Sequence, residues 1–322
     1  MSWQKKAHIA ALVIVVLVLA LILRRVNLTM LAHAVAGIVW FWAAGVFLLN
    51  VINTWAEAAR WKLILSSVKR DTRLTSTFVA LLVGVLGNSV LPLRLGDGAR
   101  AYYLARRETV PLASSLATVM LDRVMDVTFF LVMVVITGFY FHFPLLIKRG
   151  GLLGGIALAG ALIGLLALMR FATNLHVRFN GKLGQKLMEQ IHRFTAGLSC
   201  LKSAGVLLPV SALSTLSWGL RLVMVLTIFR AFRFDLPFIA APVVLIFSNL
   251  GIAAVSTPAN LGGFELSTLA ALKLFGVETE LALGCAFVFH LVEVLPMVLL
   301  GLVIMLSSGI KPSELIKRVE ST

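Results

Sequence analysis

Residues 86–107 read LGNSVLPLRLGDGARAYYLARR. An apolar run, Thr77–Leu86, leads into Asn88, Pro92, Arg94, Gly96, Asp97, Gly98 and Arg100. Proline removes a backbone donor and glycine permits φ > 0, so this is a helix stop followed by a charged turn. The chain on either side is apolar enough to enter a membrane. Two arginines and an aspartate in such a place need a reason.

Composition sets the class. The chain has 322 residues, 60% of them hydrophobic and 13% charged, with a mean hydropathy of +0.99. Soluble domains carry roughly 25% charged residues. Crossings are expected at 8–26, 31–53, 111–141, 151–169, 205–229 and 280–306, and shorter pieces at 74–92 and 237–275 are broken by Pro and Gly. The expected fold is an all-α polytopic membrane protein of about six to eight transmembrane helices. The run Ile9–Leu23 follows Lys5 and Lys6, and no small-x-small cleavage site comes after it, so it is expected to remain as the first span. Cys200 and Cys285 lie in different segments and offer neither metal-ligand spacing nor a disulfide framework. No cofactor or metal is expected.

The net charge of +15 does not point to nucleic acid. With both termini cytoplasmic and the broken pieces returning to their own side, most of the 29 Lys and Arg fall on the cytoplasmic face. The opposite orientation reverses that balance, so the positive-inside rule selects N-in, C-in. The remaining basic surface suits anionic inner-leaflet headgroups. In the polar loop 170–203, Leu183, Leu187, Ile191 and Phe194 recur at helical spacing beside basic residues. That pattern fits a basic amphipathic helix on the cytoplasmic face, and equally a solvated linker helix.

The opening stretch has an echo. Residues 256–265 read STPANLGGFE; Pro92 and Gly96, like Pro258 and Gly262, stand four apart, and an acid follows each pair, Asp97 or Glu265. Asn88 and Asn249 lie in the apolar runs that precede them. Each copy interrupts a hydrophobic segment, and on this topology one opens from the cytoplasm and the other from outside. Two broken, re-entrant segments so placed form an inverted repeat, whose half-helices build a ligand site near the midplane. The expectation is one membrane domain over 1–322, with a first half at about 27–142 (break 88–100) and a second at about 204–307 (break 249–265). Half-helix N-termini attract anions, and the guanidiniums of Arg94 and Arg100 suit phosphate. The alternative is an ordinary loop whose arginines mark the cytoplasmic side, which is the preferred reading for Arg106 and Arg107.

Within the apolar run 111–141, Asp122, Arg123 and Asp126 are adjacent or one helical turn apart. Each charge at a span's centre costs about 2.5–3.5 kcal/mol, so three together require partners or water. They either contact a substrate or form an internal ion pair that locks helices. Arg221, Glu265, His290 and Glu293 are the other polar groups inside apolar segments, and Glu265 is the strongest candidate because it follows the second break.

Taken in order, NSVLPLRLGDGARAYYL, DRVMDV and STPANLGGFE make the chain resemble the lysylphosphatidylglycerol synthase transmembrane-region family, also called flippase-like domain proteins, over roughly residues 8–307. The resemblance implies a helical fold with re-entrant helices and a polar cavity in a bacterial or archaeal cytoplasmic (inner) membrane. It also implies movement of lipids with anionic, glycosylated or aminoacylated headgroups between leaflets. Asn88, Arg94, Asp97, Arg100, Asp122, Arg123, Asp126 and Glu265 are then the substrate-binding candidates, with Pro92, Gly96, Pro258 and Gly262 as hinges; Asp122 stands where Glu is common. Membrane lipids are the expected partners, with a second copy or a lipid-modifying enzyme left open. About fifteen residues follow the last span, so synthase activity is not expected of this chain. There is no H-E-x-x-H pair, and an enzyme is not expected. A transporter of a small anionic solute, or a non-transporting partner of a lipid-modifying enzyme, would use the same features.

Overall fold

A computed structural model describes residues 35–90, 95–143, parts of 155–170, 182–254 and 257–307. The expected first crossing at 8–26, the Pro92 and Arg94 positions and most of the 151–169 crossing lie outside the described residues.

Among the described residues the chain is helical and holds no strand. The helices are α1 Trp40–Leu65, α2 Leu74–Val90, α3 Gly96–Arg107, α4 Leu112–Tyr140, α5 Lys182–Gly197, α6 Ala204–Ala231, α7 Ala240–Ala254, α8 Gly263–Lys273 and α9 Thr279–Ser307. Of these, α6 and α9 are long and apolar enough to cross a membrane by length and composition. Pro111, extended at ψ 134°, opens α4. Helices α1 and α4, at 26 and 29 residues, span about 39 and 44 Å at 1.5 Å per residue. The crossing expected at 31–53 is therefore corrected at its far end. No Pro or Gly lies between Asn53 and Leu65, and α1 runs unbroken through them.

The described residues fall into two compact units. The first takes those up to Asn53, within Leu82–Gly96 and from Gly219 onward. In it, α7 packs on α8, and α8 on α9. Helices α7 and α8, at 15 and 11 residues, reach only about 22 and 16 Å, short of a bilayer core of about 30 Å. They pair tightly because Gly251 has no side chain. A Cβ there would stand 2.2 Å from the Gly263 carbonyl oxygen and from the Ser267 hydroxyl. The turn between them carries φ of 53°, 59° and 84° at Ala259, Asn260 and Gly262. It is braced where Thr257 Oγ1 donates to the Leu261 carbonyl at 2.6 Å. Also in this unit, Gly301 of α9 lets the Leu82 carbonyl of α2 approach, since a Cβ would lie 2.9 Å from that oxygen.

The second unit takes residues 54–81 and the described part of 97–218. Ala58, Trp61, Ile64 and Leu65 of α1, Leu104 of α3 and Leu121 of α4 are buried in it. Trp55 stacks on Phe78 with ring centroids 4.1 Å apart. The end of α5 seats on the start of α4, where Ser114 Oγ donates to the Arg193 carbonyl at 2.6 Å and a Cβ on Gly197 would meet Ser114 O at 2.6 Å. The amphipathic helix expected inside 170–203 is therefore held against α4 by its C-terminal turns. Between α3 and α4, Glu108 is buried and receives the Lys69 ammonium at 2.8 Å on both Oε2 and its own carbonyl. Burial works against the charge on Glu108, yet hydrogen bonds from Lys69, Ser76 and the Arg73 N–H hold its carboxyl below the ordinary value of 4.5.

Large apolar side chains face outward along several helices: Phe47, Leu48 and Ile52 of α1, Val132, Val135 and Ile136 of α4, and Leu291, Leu295, Leu299 and Val303 of α9. Trp40, Phe41 and Trp42 at the start of α1 and Phe139 and Tyr140 at the end of α4 are exposed too. Apolar rows capped by aromatics suit hydrocarbon with its interface, not water.

Candidate functional site: a closed ring of six charges

Three arginines and three aspartates of the second unit alternate in a closed ring. Arg60 donates from Nε to Asp122 Oδ1 at 2.9 Å and from Nη1 to Asp126 Oδ1 at 2.7 Å. Arg100 Nη2 meets the other Asp122 oxygen at 3.1 Å, and its Nε lies 3.3 Å from Asp97 Oδ1. Arg123 grips Asp97 with two bonds, Nε to Oδ2 at 2.8 Å and Nη2 to Oδ1 at 2.6 Å. Its Nη1, 3.4 Å from Asp126 Oδ2, closes the ring.

Local structure puts these groups in reach of one another. Asp122 and Asp126 are one turn apart on α4 and so share a face that meets Arg60 of α1. Asp97 stands in the first turn of α3, where a carboxylate complements the positive end of the helix, and Arg100 follows three residues on. Trp61 orders the buried side, with its ring 5.0 Å from the Arg100 guanidinium carbon and its Nε1 donating to Thr118 Oγ1 at 3.1 Å.

The ring is graded in burial. The Arg60, Arg100 and Asp122 side chains are 1%, 2% and 3% exposed, Asp126 and Asp97 17% and 24%, and Arg123 45%. The longest two contacts, Arg100–Asp97 and Arg123–Asp126, are the ones that tie the Asp97–Arg123 pair to the buried members. The six charges sum to zero, so the ring holds its own ions without a counterion.

Five of the candidates, Asp97, Arg100, Asp122, Arg123 and Asp126, thus come together. Arg94 and Pro92 lie outside the described residues. Asn88 belongs to the first unit, where its Oδ1 accepts the Gly96 N–H at 2.9 Å. Gly96 allows that bond, because a Cβ on it would be 2.1 Å from Gly84 O. Glu265 is also in the first unit and is 1% exposed. Its Oε2 accepts the Gly262 N–H at 2.7 Å and its Oε1 is 2.6 Å from His290 Nδ1, with Phe264 stacked on the imidazole at 4.6 Å. Pro258 starts the short 3₁₀ turn Pro258–Asn260 that precedes Gly262. Arg106 is exposed and donates to Tyr102 OH at 3.1 Å, apart from the ring. Among the described residues, no group of three His, Cys, Asp or Glu offers a metal site.

Sequence reasoning missed Arg60, the most buried arginine of the ring. The signal was there: Glu57 and Arg60 continue the helical spacing of an apolar run with no breaker.

A family described as the lysylphosphatidylglycerol synthase TM region matches residues 8–301. The chain belongs to that family. A UPF0104 membrane protein of Methanocaldococcus jannaschii is 32% identical over 87 residues, which are 26% of this chain and 26% of that protein's own length. Another, of Methanothermobacter thermautotrophicus, is 25% identical over 261 residues, covering 73% of this chain and 75% of the relative. A third, again of Methanocaldococcus jannaschii, is 26% identical over 215 residues, covering 66% of this chain and 90% of the relative. The match is to a membrane region, and the relatives are named membrane proteins. This is a membrane protein, and the exposed apolar rows of its helices suit that location.

Proposed function

We propose that the protein moves lipid headgroups between the two leaflets of a cytoplasmic membrane, with both termini on the cytoplasmic side. The observation that carries this reading is the six-charge ring, neutral as a whole and exposed at one guanidinium. A headgroup phosphate binds at Arg123, taking the place of the Asp97 carboxylate, and Asp97 returns when the lipid leaves. Binding by exchange suits a translocator, because Arg123 trades one anion for another while the displaced Asp97 keeps Arg100, whose Nε lies 3.3 Å from it, as its counter-charge. A guanidinium fork is the side chain suited to two phosphate oxygens at once. The breaks at 88–100 and 249–265 serve as the two re-entrant elements of an inverted repeat; the short reach of α7 and α8 supports that role for the second.

The test is leaflet accessibility in reconstituted vesicles. Phosphatidylcholine vesicles carry a trace of acyl-chain-labelled phosphatidylglycerol, and dithionite quenches only the outer leaflet. Wild-type protein should take quenching well past the half expected of empty vesicles, and Arg123→Ala should return it toward half. No gain over empty vesicles, together with saturable uptake of free phosphate, would instead make this a solute transporter. Neither activity would leave a non-transporting membrane partner.

A further inference from the structure

We infer that Arg60 is a positioning residue that decides which arginine of the ring is free to take up a headgroup. The inference rests on the translocation reading for its consequence and on geometry alone for its mechanism. Asp126 stands between two arginines. Its Oδ1 is 2.7 Å from Arg60 Nη1, while its Oδ2 is 3.4 Å from Arg123 Nη1. Arg60 holds Asp122 with a second part of the same planar group, at 2.8 Å from Nη2 and 2.9 Å from Nε. One rigid fork thus fixes two carboxylates one turn apart and leaves Asp126 only a long contact, 3.4 Å, to Arg123.

The consequence falls on Arg123. Arg100 is walled in by Asp122 and the Trp61 ring and is 2% exposed, so a ligand does not reach it without dismantling the buried half. Arg123 is 45% exposed and is fastened firmly only to Asp97. If Asp126 were released, it would close on Arg123 and give that guanidinium a second strong carboxylate, one more than a headgroup has to displace. Arg60 does this at a distance, without touching ligand. The same Nη1 also donates to Ser214 Oγ at 3.4 Å, within the same unit.

Lysine keeps the charge of Arg60 but cannot grip two carboxylates at once. The full chain is purified in detergent and treated with phenylglyoxal, and peptide mass spectrometry then reads modification of Arg123; no transport is needed. Arg60→Lys should slow Arg123 modification several-fold relative to the exposed Arg106. Adding Asp126→Asn to Arg60→Lys should restore it, since the amide no longer competes for Arg123. In vesicles with labelled phosphatidylglycerol, Arg60→Lys should raise the half-saturating lipid fraction about tenfold, the worth of one charge-assisted contact, with the maximal rate little changed. Asp126→Asn alone keeps the fold readable if Arg60→Lys does not fold, and it should speed Arg123 modification. Unchanged Arg123 modification in both Arg60→Lys and Asp126→Asn would overturn the inference. So would loss of melting temperature in Arg60→Lys that Asp126→Asn does not rescue. Absence of lipid movement in wild type would sink the translocation reading, and the modification arm would still decide the role of Arg60.

Discussion

Arg60 and Asp122 are 62 residues apart in the chain and meet at 2.9 Å, both almost wholly out of solvent. A second arginine, Arg100, holds the other oxygen of the same carboxylate. Replacing Asp122 with Asn would leave two buried guanidiniums facing a neutral group. Removing one member of a buried ion pair costs about 3–5 kcal/mol. Asp122→Asn should therefore melt well below wild type in detergent, by circular dichroism or a thermal-shift assay. Asp97→Asn, at a half-open position, should cost about 1 kcal/mol or less.

Arg123 separates function from folding. Arg123→Lys keeps the charge and loses the fork, so lipid movement should fall while melting temperature stays near wild type. Arg123→Ala should fall further. Arg106→Ala is the control and should do neither. Equal lipid movement in all three would leave the ring a purely structural lock.

Three glycines make two opposite predictions for one substitution. Gly251→Ala puts a methyl 2.2 Å from backbone oxygen and should cost upwards of about 3 kcal/mol, since overpacking against an unyielding neighbour already runs to that figure. Gly96→Ala, at 2.1 Å from Gly84 O, should behave alike. Gly98→Ala meets nothing within 4 Å and lies inside α3, so it should stabilise by about 0.5–1 kcal/mol. Yield of folded protein by size-exclusion chromatography ranks the three.

The Glu108 carboxyl sets an acid limit. Its folded-state pKa lies below the ordinary 4.5, so its stabilising effect is complete above that value and is lost as pH falls through the lower folded one. Wild type should lose melting temperature on acidification below about pH 4.5, over the span between the two values. Glu108→Gln should start lower and show a flatter acid limb. Lys69→Met, which removes the strongest partner, should shift the wild-type limb toward higher pH.

The legible parts of this molecule were those where a residue contradicted its surroundings. Asp122 and Asp126 stand inside an apolar run, and a charge there announces a partner. Pro258 and Gly262 stand inside another and announce a turn. The partner itself was hidden. Arg60 follows an apolar run that is already long enough to cross, where an arginine ordinarily marks the cytoplasmic edge, and only the unbroken spacing to Leu65 shows that the helix goes on. The turn was hidden in its detail too, since Ala259 and Asn260 take positive φ as well as the nearby Gly262. Side-chain type does not reveal that choice at an alanine, which has no preference for positive φ. Asp97, Arg100 and Arg123 could be singled out as charges, but nothing in their spacing says that they join end to end.

A ring of opposite charges also has a history within the life of each molecule. The ribosome delivers Arg60 before Arg100, and both before the Asp122–Arg123–Asp126 segment. Alone, α4 would present three ionised groups to the insertion machinery, each costing about 2.5–3.5 kcal/mol at the centre of a span. With α1 and α3 already waiting, all three find counter-charges as they emerge, Asp122 and Asp126 on the arginines and Arg123 on Asp97. Membrane entry of this segment is then a matter of timing: a chain whose earlier arginine were neutralised would stall at α4, long after the altered codon had been read.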